Sequence, residues 1–242
     1  MTMIVSTLRA IYGWRWSVLP PVAGVAVMAM VLGALLVAPR EVVEGDVQRL
    51  LYIHFSSILA AYGAFAIVFL ASVVVLWRRD LRWDAVARGA ATVGVLFTGL
   101  TLATGAIWGK PIWGVYWTWD ARLTSTLILF LIYAAYLLAR SMADELDEQA
   151  ARFAAVFAII GALDIPLIMM SVRWWRTLHP QPIVLRGAER PALPPEMLIV
   201  MIVAFIGVGA LAVWLGVLRT ETEWLAKRTA ALRAAADRRE GA

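Results

Sequence analysis

Six predominantly apolar stretches divide this 242-residue sequence: approximately Val18–Val37, Leu50–Trp77, Gly89–Ile107, Leu123–Ala139, Phe153–Val172 and Met197–Leu218. A hydrocarbon core about 30 Å thick is crossed by roughly 20 residues of helix. Without water, a backbone satisfies its own N–H and C=O groups only as a helix or a closed barrel, and runs this long read as helices. The sequence therefore predicts an all-α integral membrane protein with six transmembrane helices. With 62% hydrophobic and 16% charged residues, it has too little polar surface to cover a soluble globule of this size. Pro20 and Pro21 open the first span, where missing N–H groups cost little.

Cations collect on the cytoplasmic side of membrane proteins, so their distribution predicts orientation. With a cytoplasmic N-terminus, fourteen of the 22 Lys and Arg residues fall on the inner side and eight on the outer. Both termini are thus expected in the cytoplasm. The resulting layout is an inner N-terminus (residues 1–17), a six-helix membrane domain (18–218) and an inner tail (219–242). The Trp-rich loop 108–122 and the histidine loop 173–195 are both expected to face the periplasm. No cleavable leader is expected, because no convincing small-residue cleavage motif precedes Pro39. The net charge of +5 follows from topology rather than from nucleic-acid binding. The tail is Ala-, Arg- and Glu-rich, and reads as an amphipathic helix on the inner surface or against a partner.

Between the third and fourth spans, the segment Trp108 to Asp120 packs four tryptophans (Trp108, Trp113, Trp117 and Trp119) and a carboxylate into thirteen residues. An interfacial belt places Trp at such positions, and a platform for a large flat apolar ligand does so as well. The second span is overlong: its 28 residues make about 42 Å of helix, so its outer end should project beyond the hydrocarbon. That end carries His54. His179, the second of only two histidines, falls in the outer loop after the fifth span, just past Trp174 and Trp175. The outer cations Arg49, Lys110, Arg122, Arg173 and Arg176 flank these aromatics, where an anionic ligand explains them better than topology does.

Haem uses every part of this set. Two neutral imidazoles fill the axial positions of its iron, Trp faces cover the macrocycle and guanidinium groups pair with the propionates. The sequence has no cysteine, so thiolate, Fe–S and disulfide chemistry are excluded. It also has no phosphate-binding Gly-rich loop, nucleophile triad or metalloprotease motif. Two other readings remain open: a permease-type subunit for another apolar solute, which needs no metal, and a b-type membrane cytochrome, which needs histidine pairs within the hydrocarbon. Asp120 reads chiefly as the N-cap of the fourth span, with a hydrogen bond to a histidine or an indole as a lesser role. Asp164 lies two residues before Pro166 in mid-span, where the helix should bend, and is expected to pack against the Thr-rich third span (Thr92, Thr98, Thr101 and Thr104). Gly89, Gly94, Gly99 and Gly105 in that third span read as helix-packing positions.

The string Trp108-Gly109, Trp113-Gly114, Trp117, Trp119-Asp120 and Arg122-Leu123-Thr124 resembles the WWD signature of the haem-handling proteins of cytochrome c biogenesis. The string Ser171-Val172-Arg173-Trp174-Trp175-Arg176-Thr177-Leu178-His179 resembles their following histidine loop, although Pro180 stands where that pattern usually has an amide. In length and span number, the chain is similar to the smallest member type, CcmC, over residues 18–218. The resemblance implies that His54 and His179 are axial ligands of haem b (iron protoporphyrin IX) and that Trp108 to Asp120 cradles the haem edge. It further implies that Arg49 and Arg122 lie at the propionates. The implied role is to hold haem at the periplasmic face of the bacterial inner membrane and pass it to the haem chaperone CcmE, with CcmA, CcmB and CcmD as partners in an ABC-transporter complex.

Overall fold

The structure, a computed structural model, describes residues 13, 15–175, 177–179 and 193–240. Among the described residues seven α-helices form: α1 (Leu19–Leu32), α2 (Leu50–Arg78), α3 (Leu81–Trp113), α4 (Ala121–Met142), α5 (Glu148–Ala162), α6 (Asp164–Trp174) and α7 (Pro195–Glu240). A π-helical turn, Gly33–Val37, extends α1, and a 3₁₀ turn, Asp46–Arg49, leads into α2. Six helical segments among the described residues are long and apolar enough to cross a membrane, α5 and α6 together making the fifth.

Aspartates start three of the helices. Asp80, Asp120 and Asp147 each accept a backbone N–H two or three residues ahead, which caps α3, α4 and α5. The antiparallel pair α2 and α3 forms the centre, with α7 packed across both and α1 lying on α7. On the other side α4 and α5 close the bundle, and α6 packs on α4.

Small residues set the spacing, as the sequence predicts for the third span. A Cβ on Gly94 would lie 2.3 Å from Cε1 of Phe65, so this glycine admits the Phe65 ring, which stacks on Tyr133 at 3.9 Å. A Cβ on Gly89 would meet Thr220 of α7 with similar severity.

Where the fifth span is predicted to bend, the helix is interrupted at a single residue that keeps right-handed helical angles. Leu163 separates α5 from α6, and Pro166 cannot donate to the preceding turn. No hydrogen bond joins Asp164 to the third-span threonines among the described residues. Thr92, Thr98, Thr101 and Thr104 each donate to a carbonyl four residues back in α3 itself, and Asp164 Oδ2 is buried with no hydrogen-bond partner among the described residues.

The predicted tail also differs. Residues 219–240 continue the last span as one 46-residue helix instead of forming a separate surface element. Lys227 contacts Asp84 at 2.6 Å and Glu145 at 3.4 Å. Glu223 bonds Arg88 and Arg219, each at 2.7 Å, and Arg140 closes the set on Asp84 at 3.0 Å. Buried charges are tolerated only when paired, and this network pins the tail to the start of α3 and the end of α4.

Candidate functional site

At the opposite end of the bundle, α3 runs further than the sequence suggests. It continues through Pro111 to Trp113, so Trp108 and Trp113 sit on its last turns and only Gly114 to Asp120 is loop. Pro111 lies in the last turn, where only one carbonyl loses its donor. The helix ends at Gly114, whose φ of 78° is the left-handed conformation that glycine adopts freely, with its N–H on the Lys110 carbonyl at 3.0 Å. A Cβ on Gly109 would lie 2.9 Å from Cε3 of Trp113, so Gly109 is the notch into which that indole folds.

His54 lies in the second turn of α2. Its Nδ1 is 3.2 Å from Thr104 Oγ1, and its ring meets Trp108 edge-on at 5.7 Å. A Cβ on Gly105 would sit 2.9 Å from His54 Cε1, so this predicted packing glycine packs on the imidazole itself. Trp108 Nε1 donates to Glu44 at 3.0 Å, a residue that sequence reasoning missed because it lies in a short loop carrying no motif.

His179 is built differently. Its Nδ1 is 3.4 Å from Asp120 Oδ2, and its ring meets Trp113 edge-on at 5.0 Å. Burial holds its pKa below the usual histidine value and favours the neutral imidazole, while the Asp120 carboxylate opposes that shift. Asp120 thereby fills both expected roles: Oδ1 accepts the Leu123 N–H at 2.9 Å as the N-cap of α4, and Oδ2 faces His179 and the Thr118 hydroxyl.

The two histidines thus share one pattern. Each Nδ1 is engaged by the protein and each ring rests on a tryptophan from the end of α3. A histidine held through Nδ1 presents Nε2 for ligation, and a hydrogen-bonding partner on the other nitrogen fixes its orientation. Two such imidazoles are the donor set that haem iron takes axially. No group of three or more His, Asp or Glu residues able to hold a metal ion occurs among the described residues, so a bare-ion site is not indicated there.

The remaining predicted residues divide. Arg122, in the first turn of α4, has its Nε buried without a partner among the described residues, as has the Trp117 indole Nε1. Orphaned buried donors are costly, and these two fit an anionic ligand group. Trp119, edge-on to Trp117 at 5.7 Å, is 76% exposed and free to cover a bound ligand. Arg49 has other partners. It donates to the carbonyls of Ala34 and Leu35, exposed by the π-helical end of α1, and to Asp46. Lys110 folds back on the Gly114 carbonyl at 2.8 Å and over the Tyr116 ring. Of the expected flanking residues, Arg176 and Pro180 lie outside the described residues.

A six-span helical membrane protein with two tryptophan-backed imidazoles at one end is the class that fold and site define. Residues 3–235 match the family model described as heme exporter protein C. The chain is 37% identical over 218 residues to heme exporter protein C of Bradyrhizobium diazoefficiens, covering 89% of this chain and 82% of that one. It is 36% identical over 188 residues to the Haemophilus influenzae protein of the same name, covering 78% and 76%. With the Escherichia coli K12 protein it shares 36% identity over 143 residues, 59% of this chain and 58% of that one. The chain belongs to the heme exporter protein C family.

Proposed function

We propose that this protein binds haem b at the periplasmic face of the inner membrane, with His54 and His179 as the two axial ligands of one iron, and delivers it to the haem chaperone CcmE. It works within a membrane complex with CcmA, CcmB and CcmD. The observation that carries this reading is the matched treatment of the two histidines, each held through Nδ1 and backed by a tryptophan of α3. Family membership supports the haem-export role. The orphaned donors of Arg122 and Trp117 support a carboxylate-bearing ligand, with Arg122 at a propionate. The paired state of Arg49 favours a supporting role for it, holding the loop before α2 to the end of α1. Both termini on the cytoplasmic side follow from the cation distribution. An electron-carrying b-type cytochrome is disfavoured, since both histidines of the sequence are committed to one end of the bundle.

The absorption spectrum of the purified protein tests this directly. Six-coordinate low-spin haem is expected, and His54→Gly and His179→Gly should each lose it and regain it with added imidazole. Arg122→Gln should weaken haem retention while any haem still bound keeps the low-spin spectrum, whereas Arg49→Gln should act on thermal stability more than on retention. Wild-type spectra and haem content in both histidine variants would overturn the ligand assignment.

A further inference from the structure

The loop between α1 and α2 contributes to the site through one side chain. It is a built turn. The Val43 N–H donates to Glu41 Oε2 at 2.6 Å, the Glu44 N–H donates to the same oxygen, and the Gly45 N–H donates to the Glu41 carbonyl at 3.1 Å. Gly45 has a φ of 64°, a positive value that glycine adopts without strain, and it closes the turn. Arg49 ties the far side of the loop to Ala34, Leu35 and Asp46. At the tip Val42 is 97% exposed and Val43 89%, so the loop is held from its base and not by its tip.

From this base Glu44 reaches across to α3 and accepts the Trp108 indole N–H at 3.0 Å. Trp108 has a single hydrogen-bond donor, and its ring sets the edge against which His54 rests. Asp120 holds His179 directly; Glu44 holds the wall beside His54. A carboxylate accepting from a neutral donor makes a stronger bond than a neutral pair does, so the wall is fixed by the loop and not only by packing.

Building on the haem-site reading, we infer that Glu44 is a positioning residue: through the Trp108 indole it fixes the ring wall beside His54, and so sets how long haem stays bound. The loop before α2 is thereby part of the site. Neither carboxylate oxygen needs to touch the ligand for this.

The test compares Glu44→Ala, Glu44→Gln, Trp108→Phe and the Glu44→Ala/Trp108→Phe pair, in the full-length purified protein. Haem loss is followed by transfer to an excess of apomyoglobin. Glu44→Ala should lose haem about tenfold faster, the factor expected from one charge-assisted hydrogen bond, while Glu44→Gln, which keeps an acceptor, should stay within about threefold of wild type. In the Trp108→Phe background, Glu44→Ala should add nothing. Unchanged haem loss in Glu44→Ala, an equal defect in Glu44→Gln, or an undiminished effect in the Trp108→Phe background would each overturn the proposal. A second readout is independent of haem: with 5-fluorotryptophan incorporated, the resonance lost in Trp108→Phe should shift in Glu44→Ala and stay put in Glu44→Gln. Failure of wild type to bind haem would count against the haem-site reading alone, and an unshifted fluorine resonance against Glu44.

Discussion

Asp120 shows how much one side chain settles at this site. Its two oxygens face different tasks, one capping α4 and the other holding His179, and substitution can separate them. Asn is as good an N-cap as Asp, so Asp120→Asn should leave the unfolding temperature close to wild type while haem affinity falls about tenfold or more, the usual cost of losing the partner of a ligating histidine. Asp120→Ala should lose the cap as well, about 1 kcal/mol of stability. Haem titration and thermal unfolding in detergent read the two effects apart. Gly105 makes the complementary case on His54. A Cβ there would lie 2.9 Å from the ring, so Gly105→Val should displace the imidazole and abolish the low-spin spectrum although His54 is still present.

Among the elements, α3 carries most of the architecture, and its glycines are testable as spacers. Gly94→Ala would place a Cβ 2.3 Å from Phe65, and forcing that ring aside should cost about 1–3 kcal/mol, read as a lower unfolding temperature. The six spans, the Asp120 cap and the convergence of both histidines on the tryptophans were legible in the sequence, because hydrophobic length, capping chemistry and residue scarcity are local signals. What was not legible depended on distant partners. The continuation of α3 through Pro111 rests on Gly109 and Gly114, which give Trp113 its notch and the helix its end. The polar composition after Leu218 marks where the membrane ends and not where the helix ends, since Glu223 and Lys227 find their counter-charges in α3 and in the residues after α4. Glu44 and the carbonyl partners of Arg49 are likewise set by how α1 meets α2, a relation no local pattern encodes.

At the scale of the molecule, the two ends of the bundle have opposite chemistry: imidazoles and indoles at one, interlocked ion pairs at the other. Removing one member of the buried network should be costly, so Lys227→Met is expected to destabilise the protein by about 3 kcal/mol while haem affinity is retained. Circular dichroism melts and haem titration of that variant check both halves. Orientation can be probed on the cysteine-free background: Thr118→Cys should react with an impermeant thiol reagent applied from the periplasmic side, and labelling from the cytoplasmic side alone would reverse the topology. The contact between Asp120 and His179 spans 59 positions of sequence, and this has a consequence in time. A ribosome finishes His54, its threonine, both tryptophans of α3 and the waiting carboxylate before α5 and α6 have been made. On the proposed reading, one imidazole of the pair is made before the fifth span and the other after it, so two-sided ligation would have to wait until that span is inserted and brings His179 to Asp120.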